Sequence, residues 1–123
     1  MIIRLTVPEI PVSPNGPGGL FRIHWGQRKR MFEAWAWHVS VALNRLGNGP
    51  RLPEALKRRR KVFIYQVRTR RLDRDNLWAS VKPICDALKK NKLIFDDSEK
   101  WIELEVTQST GKPNKTEITI TDL

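Results

Sequence analysis

The chain has 123 residues, and its 23 Lys and Arg outnumber its 13 Asp and Glu, which gives a net charge of +10. With 40% hydrophobic and 29% charged residues, it is predicted to form one globular domain over residues 1–123 with a core of its own. A pI near 10.4 indicates a nucleic acid or another polyanion as partner.

The single cysteine, Cys85, excludes an internal disulfide and any zinc site built from several cysteines. Its position beside an apolar stripe predicts a small core residue. The sequence contains no signal peptide and no apolar run long enough to span a bilayer. Cytoplasm is therefore the expected location.

The N-terminal third begins with an alternating segment, Ile2 to Val7, which predicts a strand. Residues 9–19 are rich in Pro and Gly and predict a loop. A basic segment over residues 22–30 follows, in which Trp25 is expected to be partly buried, with base stacking as the alternative. No functional role is expected for the histidines.

A helix is predicted from Met31 to Leu46, ended by the glycines that follow it. Its expected apolar face consists of Phe32, Ala36, Val39, Leu43 and Leu46. Trp35 and Trp37 extend the apolar surface beyond that face, either as core residues or as a dimer contact.

Five consecutive cations, residues 57–61, precede a predicted strand over Val62 to Val67. Two further alternating segments, Trp101 to Gln108 and Thr116 to Thr121, predict strands joined as a hairpin by a long loop over residues 109–114. The order strand, helix, strand, helix, strand, strand predicts an α+β domain: a mixed β-sheet with helices packed on one face.

Two stripes of side chains run along the helix predicted over residues 75–88. The polar stripe consists of Asp75, Ala79, Lys82 and Asp86. The apolar stripe, on the opposite side, consists of Leu77, Val81, Ile84 and Leu88. Pro83 is expected to kink this helix near residues 79–82, because proline removes a backbone donor.

Carboxylates flank this helix at both ends, as Asp73 and Asp75 before it and as Asp96 and Asp97 after it. In a chain of net charge +10, acidic residues beside Arg68, Arg70 and Arg71 suggest a divalent cation held against a phosphate backbone. Mg²⁺ takes a few hard oxygen ligands, keeps several waters and completes its shell with substrate phosphate.

A purely structural reading of the same residues remains open. Asp75 or Asn76 would then be the N-cap of the helix. In the metal-site reading, Asp73 and Asp75 instead face the same way from an extended segment before the helix, because side chains alternate along a strand. Asp96 and Asp97 would form a turn before the next strand.

The pattern Asp-x-Asp-Asn, a helix with Lys-x-x-x-Asp-Ala-Leu, and Asp-Asp before a strand resembles the RusA family of Holliday junction resolvases. The matching residues are Asp73, Asp75, Asn76, Lys82, Asp86, Ala87, Leu88, Asp96 and Asp97. The Pro-rich segment Pro11 to Asn15 is a looser similarity. One departure concerns the lysine, because the family place one turn after the Asp-Asn pair is Ala79 here and the lysine follows a turn later.

The resemblance implies a homodimeric, Mg²⁺-dependent endonuclease, with Mn²⁺ as a substitute, that resolves four-way DNA junctions in recombination and repair. It further implies a bacterial source, often a phage or prophage. The implied metal ligands are Asp73, Asp75 and Asp97, and Lys82 joins them as a catalytic residue that holds the scissile phosphate. Asn76, Asp86 and Asp96 are expected to orient the metal ligands, Lys82 or a metal-bound water. The cations expected to grip DNA are Lys57, Arg58, Arg59, Arg60, Arg68, Arg70 and Arg71.

Two other functions fit the same residues. One is a non-catalytic basic module that binds nucleic acid, in which the aspartates serve as caps and turns. The other is a metal-dependent nuclease for flaps or other branched DNA.

Overall fold

The fold of the chain is seen in a computed structural model that describes residues 2–13, 25–46 and 57–123. Its strands are β1 (Ile2–Val7), β2 (Arg60–Arg68), β3 (Ile102–Thr110) and β4 (Lys115–Asp122), and its helices are α1 (Trp25–Asn44), α2 (Arg74–Ser80) and α3 (Lys82–Lys90). The α+β class and the order of elements predicted from the sequence are confirmed. In the part of the chain that the structure describes, no helix is long and apolar enough to cross a membrane.

The four strands form one mixed sheet in the order β1-β4-β2-β3. β4 lies between β1 and β2 and is antiparallel to both, whereas β3 is parallel to β2 and forms the edge of the sheet opposite β1. The predicted hairpin of the last two strands is therefore wrong. Each strand alternates as expected, but alternation reports which face is buried and carries no information on which strand lies alongside.

The connection between β3 and β4 instead crosses the end of β2. The backbone N–H of Gly111 donates to the carbonyl of Arg68 at 2.9 Å, and the side-chain oxygen of Asn114 accepts from both the backbone and the hydroxyl of Thr69. These bonds cap the carboxyl end of β2, the point from which the chain departs towards α2.

The helix predicted over residues 75–88 is divided into α2 and α3 at Val81, within the span of residues 79–82 where the sequence predicts the kink. Pro83 lies in the first turn of α3, where its missing N–H removes no helical bond. The apolar stripe is confirmed, since its four members are all buried in the core: Leu77, Val81, Ile84 and Leu88. Cys85 is buried as well.

α1 begins at Trp25, earlier than predicted, and packs against α3 and β1. Of its predicted apolar face, Val39 and Leu43 are buried, Phe32 and Ala36 are partly buried, and Leu46 lies exposed beyond the helix end. Trp35 and Ala42 complete the buried face. Trp37 points away from the core with 64% exposure. Trp25, expected to be partly buried, is 72% exposed. Residues 14–19 of the predicted loop lie outside the described residues. The same holds for residues 22–24 of the basic segment, which precede Trp25.

The cation Arg60 belongs to the core and is unavailable to DNA, which corrects its predicted role. Its side chain is 2% exposed, and Nη1 donates to the carbonyl of Leu93 at 2.9 Å. Nε lies 3.0 Å from Oδ1 of Asp122, close enough for an ion pair but not aligned for a hydrogen bond. The run of five cations therefore enters the sheet at its fourth member.

Replacing Asp122 by Asn should leave the buried Arg60 charge uncompensated and lower the free energy of unfolding by about 2–3 kcal/mol. Urea denaturation measures this loss. Glu117→Gln is the matched control, because it breaks the exposed Lys115–Glu117 pair on the same strand and should cost less than about 1 kcal/mol. Equal losses in the two variants would contradict a special role for the Arg60 pair.

Candidate functional site

A buried polar network closes the carboxyl end of β2. Nε of Arg68 donates to Oε1 of Gln66 at 2.8 Å, and its Nη2 donates to the carbonyl of Pro11. Nε2 of Gln66 lies 3.4 Å from the Ser80 hydroxyl, which in turn donates to the carbonyl of Leu77 at 2.6 Å. The network links the N-terminal segment, β2 and α2.

Arg68 is 4% exposed, so its predicted contact with DNA is corrected to a structural role. Burial lowers the pKa of its guanidinium from the ordinary value. The β-strand period explains the error: Arg68 lies two residues after Gln66 and therefore points to the same, helix-covered face of the sheet.

Asp73 is the N-cap of α2, and the predicted caps Asp75 and Asn76 lie inside the first turn instead. Oδ1 of Asp73 accepts from the backbone N–H of Asn76 at 2.9 Å, and Oδ2 accepts from the Asn76 side chain at 3.0 Å. The helix begins earlier than expected because Asp73 supplies this cap. Its carboxylate is exposed, so each oxygen retains lone pairs directed at solvent.

Asp75 and Lys82 are both exposed, as the predicted polar stripe requires. Within residues 2–13, 25–46 and 57–123, neither side chain has a hydrogen bond or ion pair of its own. They are separated by the break at Val81. A continuous helix rises about 10 Å between residues 75 and 82. The ammonium group of Lys82 can therefore approach Asp75 only if the long Lys82 side chain extends towards it.

Two of the three remaining predicted acids, Asp86 and Asp96, are paired with lysines near the end of α3. Asp86 lies 3.2 Å from Nζ of Lys90, and Asp96 lies 3.1 Å from Nζ of Lys89. The three acids Asp86, Asp96 and Asp97 all act electrostatically on Lys89 and raise its pKa, with the hydrogen bond to Asp96 as the largest cause.

The pKa of Asp96 is held below its ordinary value, first by the hydrogen bond from Lys89 and then by the Asp97 backbone. The thiol of Cys85 has its pKa raised to about 12, mainly by burial and secondarily by the charge of Asp97. Asp97 therefore lies near the middle of α3.

The chain segment before Asp73 and the segment after Asp97 are bonded to opposite ends of β3. The Gln108 side chain bonds both the N–H and the carbonyl of Leu72, at 3.0 and 2.6 Å, and so fixes the segment before Asp73. The backbone N–H of Ile102 donates to the carbonyl of Ser98, which follows Asp97. The step from Ile102 to Gln108 spans about 20 Å along a strand.

We call the two regions the Asp73 end (Arg70, Arg71, Asp73, Arg74, Asp75) and the Asp97 end (Lys57, Arg58, Arg59, Asp96, Asp97). Each combines a pair of acids with exposed cations. At the Asp97 end, Nζ of Lys57 lies 5.2 Å from the centre of the Phe95 ring, and Arg59 donates to the carbonyl of Glu99 at 3.4 Å. The first and third cations of the predicted basic run therefore lie at the Asp97 end.

The predicted metal ligands are not gathered within one chain. In the described ranges, no three His, Cys, Asp or Glu side chains form a group able to hold a metal ion together. Asp73 and Asp75 nevertheless fit a Mg²⁺ ion by donor chemistry, since Mg²⁺ is commonly bound through one or two carboxylates with water and substrate phosphate in the other positions. Asp97 is not grouped with them in the described part of the chain.

Three side chains at or beside the Asp73 end did not enter the sequence prediction: Arg74, Trp78 and Gln108. Arg74 and Trp78 are one helical turn apart on α2 and share a face. A signal for them exists in the sequence, a tryptophan four residues after an arginine beside the Asp-x-Asp motif. Gln108 cannot be found in this way, because its contact with Leu72 depends on the parallel pairing of β2 and β3.

A scan against protein-family models gives no match, and a search of curated proteins gives no significant one.

Removing the ammonium group of Lys89 should raise the pKa of Asp96 towards the ordinary value of about 3.9. The Lys89–Asp96 contact stabilises the folded state at pH values above the ordinary pKa of Asp96. This stabilisation is lost as the pH falls through the lowered pKa that Asp96 has in the folded protein. Titration of the side-chain carboxyl carbon by NMR in Lys89→Met measures the change. Lys90→Met, which removes the same charge from the partner of Asp86, should leave Asp96 nearly unchanged; equal shifts would contradict the pairing.

Proposed function

We propose that this protein is a divalent-metal-dependent endonuclease that cuts branched DNA, with four-way junctions as its main substrate in recombination and repair. The observation that carries the proposal is the pair of exposed carboxylates at the Asp73 end, within a chain of net charge +10. Solvent-facing acids surrounded by Arg70, Arg71 and Arg74 are unfavourable for DNA binding unless a cation joins them to the phosphate.

The rigid mounting of these carboxylates supports the proposal. Asp73 is fixed by its two bonds to Asn76, and the chain before it is clamped by Gln108. Below them, the buried network of Arg68, Gln66 and Ser80 ties α2 to the sheet. Hydrolytic sites need ligands held close to their productive geometry, and supports of this kind provide it.

Asp73 and Asp75 would hold the cation, which when bound supplies Lewis acidity and orients a phosphodiester for attack by water. Asn76 holds the Asp73 carboxylate in place through its side-chain amide. Arg70 and Arg71 would neutralise the flanking phosphates, and Lys82 would place its ammonium where charge develops on the scissile phosphate.

A second copy of the chain offers a way to complete the site. Within one chain, Asp97 belongs to the other end of β3, and a two-fold symmetric dimer can bring the Asp97 end of one copy to the Asp73 end of the other. Such a dimer has two equivalent sites, which suits paired cuts in a two-fold symmetric junction.

Asp75→Asn should lower Mg²⁺-dependent cleavage of a labelled four-way junction by about 100-fold or more, while junction binding is retained. Glu117→Gln removes an acid far from α2 and should cleave like the wild type. Denaturing gels that resolve each strand would show whether nicks are paired and symmetric, and a flap and a linear duplex tested in parallel define the preferred substrate.

Binding without cleavage by the wild type in both Mg²⁺ and Mn²⁺ would overturn the proposal. In that case the protein is a nucleic-acid-binding module, and Asp75→Asn should bind DNA more tightly because it removes one repulsive charge. Preferential cleavage of the flap would instead identify a nuclease for another branched substrate.

The shared site makes a separate prediction for mixed dimers. If Asp97 acts on the Asp75 of the other copy, a dimer of Asp75→Asn and Asp97→Asn chains has one doubly altered site and one intact site. Mixing the two inactive variants should therefore restore nicking at single strands, to no more than about half of the wild-type rate per dimer. Each variant mixed with itself is the control, and no recovery on mixing would contradict a site built from two chains.

A further inference from the structure

A cleft of about 510 Å³ lies between α2 and the outer strand β3, beside the Asp73 end. Its floor is apolar and consists of the buried side chains of Leu77 and Val106. Its walls carry two arginines, Arg71 and Arg74, and one tryptophan, Trp78. The proposed hydrolytic function uses none of the cleft's apolar surface.

The cleft is a fixed feature of the fold. Gln108, which lines it, bonds both backbone groups of Leu72, so the segment that carries Arg71 is clamped to β3. Trp78 lies in the middle of α2 and is 36% exposed. A rigid aromatic surface loses little conformational entropy when a flat ligand packs on it.

The charge of the cleft favours an anion. Arg71 and Arg74 are exposed, and in the described ranges neither forms an ion pair with a carboxylate. The acid among the lining residues, Glu105, is paired with Lys61 at 3.7 Å. Two uncompensated guanidiniums beside one aromatic face match a phosphate joined to a planar base.

The outer edge of β3 faces the same region, and none of the described strands pairs with it. An extended peptide could add to such an edge as a further strand. The two free guanidiniums favour a polyanion over a peptide, as does the net charge of the chain. Nucleic acid supplies both the anion and the flat ring.

We propose that this cleft binds one unpaired nucleotide of the DNA substrate, with its base on the Trp78 ring and its phosphate at Arg71 and Arg74. A base inside a duplex has both faces covered by its neighbours, so only an unstacked base can lie on the indole. The cleft would therefore select DNA in which pairing is interrupted next to the cut. The choice of DNA as ligand rests on the proposed function, and the test measures binding so that the two can fail separately.

The test uses fluorescence anisotropy of a short labelled oligothymidine and of an oligomer of the same length with abasic sites, in EDTA so that no cleavage occurs. The wild type should bind oligothymidine more tightly than the abasic strand. Trp78→Ala should weaken oligothymidine binding by about 5- to 150-fold, the range for the loss of one aromatic stack, and bind both strands alike. Trp78→Phe, which keeps a ring, should retain most of the preference.

Trp37→Ala is the matched control, because Trp37 is an exposed tryptophan on a different element, α1. It should bind both oligomers like the wild type. Arg74→Gln should weaken both strands equally and reduce the slope of log K against log salt by about 0.7, the value for one phosphate contact on a single strand.

The inference is overturned if Trp78→Ala, shown by circular dichroism to be folded, keeps the wild-type preference for bases. It is equally overturned if the preference is lost in Trp37→Ala instead. A base preference that depends on Trp78 in a protein without any cleavage activity would support the cleft and reject the proposed endonuclease.

Discussion

The buried network around the guanidinium of Arg68 joins the N-terminal segment, β2 and α2 at the carboxyl end of β2. The guanidinium is buried, and its neighbours are the side chain of Gln66 and the carbonyl of Pro11 rather than a carboxylate. A cation removed from water is costly unless each donor finds an acceptor, so this end of the sheet tolerates few alternative arrangements. The helix α2, which carries Arg74 and Asp75, is tied to the sheet through this network.

The second constraint is the parallel pairing of β2 and β3. Parallel neighbours require a crossover, and here α2 and α3 carry the chain from the carboxyl end of β2 back to the start of β3. A crossover of this kind necessarily places its two junctions at opposite ends of the strands. Asp73 follows the first junction and Asp97 precedes the second, so the two residues belong to different junctions of the crossover.

Much of the fold could be predicted from the sequence because the evidence for it is local. The bounds of β1, the burial of Leu77, Val81, Ile84 and Leu88, and the break beside Pro83 follow from side-chain period and from the chemistry of one residue. The partners of each strand depend on distant contacts, and the wrong hairpin shows how little alternation reveals about them. Sequence proximity made a hairpin attractive, whereas the bonds at Gly111 and Asn114 direct the connection over β2.

The candidate site was predicted less completely than the fold. The exposure of Asp75 and Lys82 follows from helical spacing, and both lie where that spacing puts them. Arg60 and Arg68 were predicted to contact DNA because charged side chains usually lie at the surface. Both guanidiniums instead form buried hydrogen bonds, with partners that only the folded sheet brings together. The cleft beside Trp78 depends on how α2 lies against β3, which no pattern within either element reports.

The position of β4 has a consequence for how the domain is made. β4 is the last of the four strands along the chain, but it lies inside the sheet, between β1 and β2. During synthesis, β1 and β2 therefore have no common partner until residues 115–122 have left the ribosome. Pairs such as Ile3 with Ile120 close loops of more than a hundred residues, a topology that slows folding. The nascent chain must keep the apolar faces of two unpaired strands out of other contacts until that last strand arrives, which makes this step the one most dependent on chaperones.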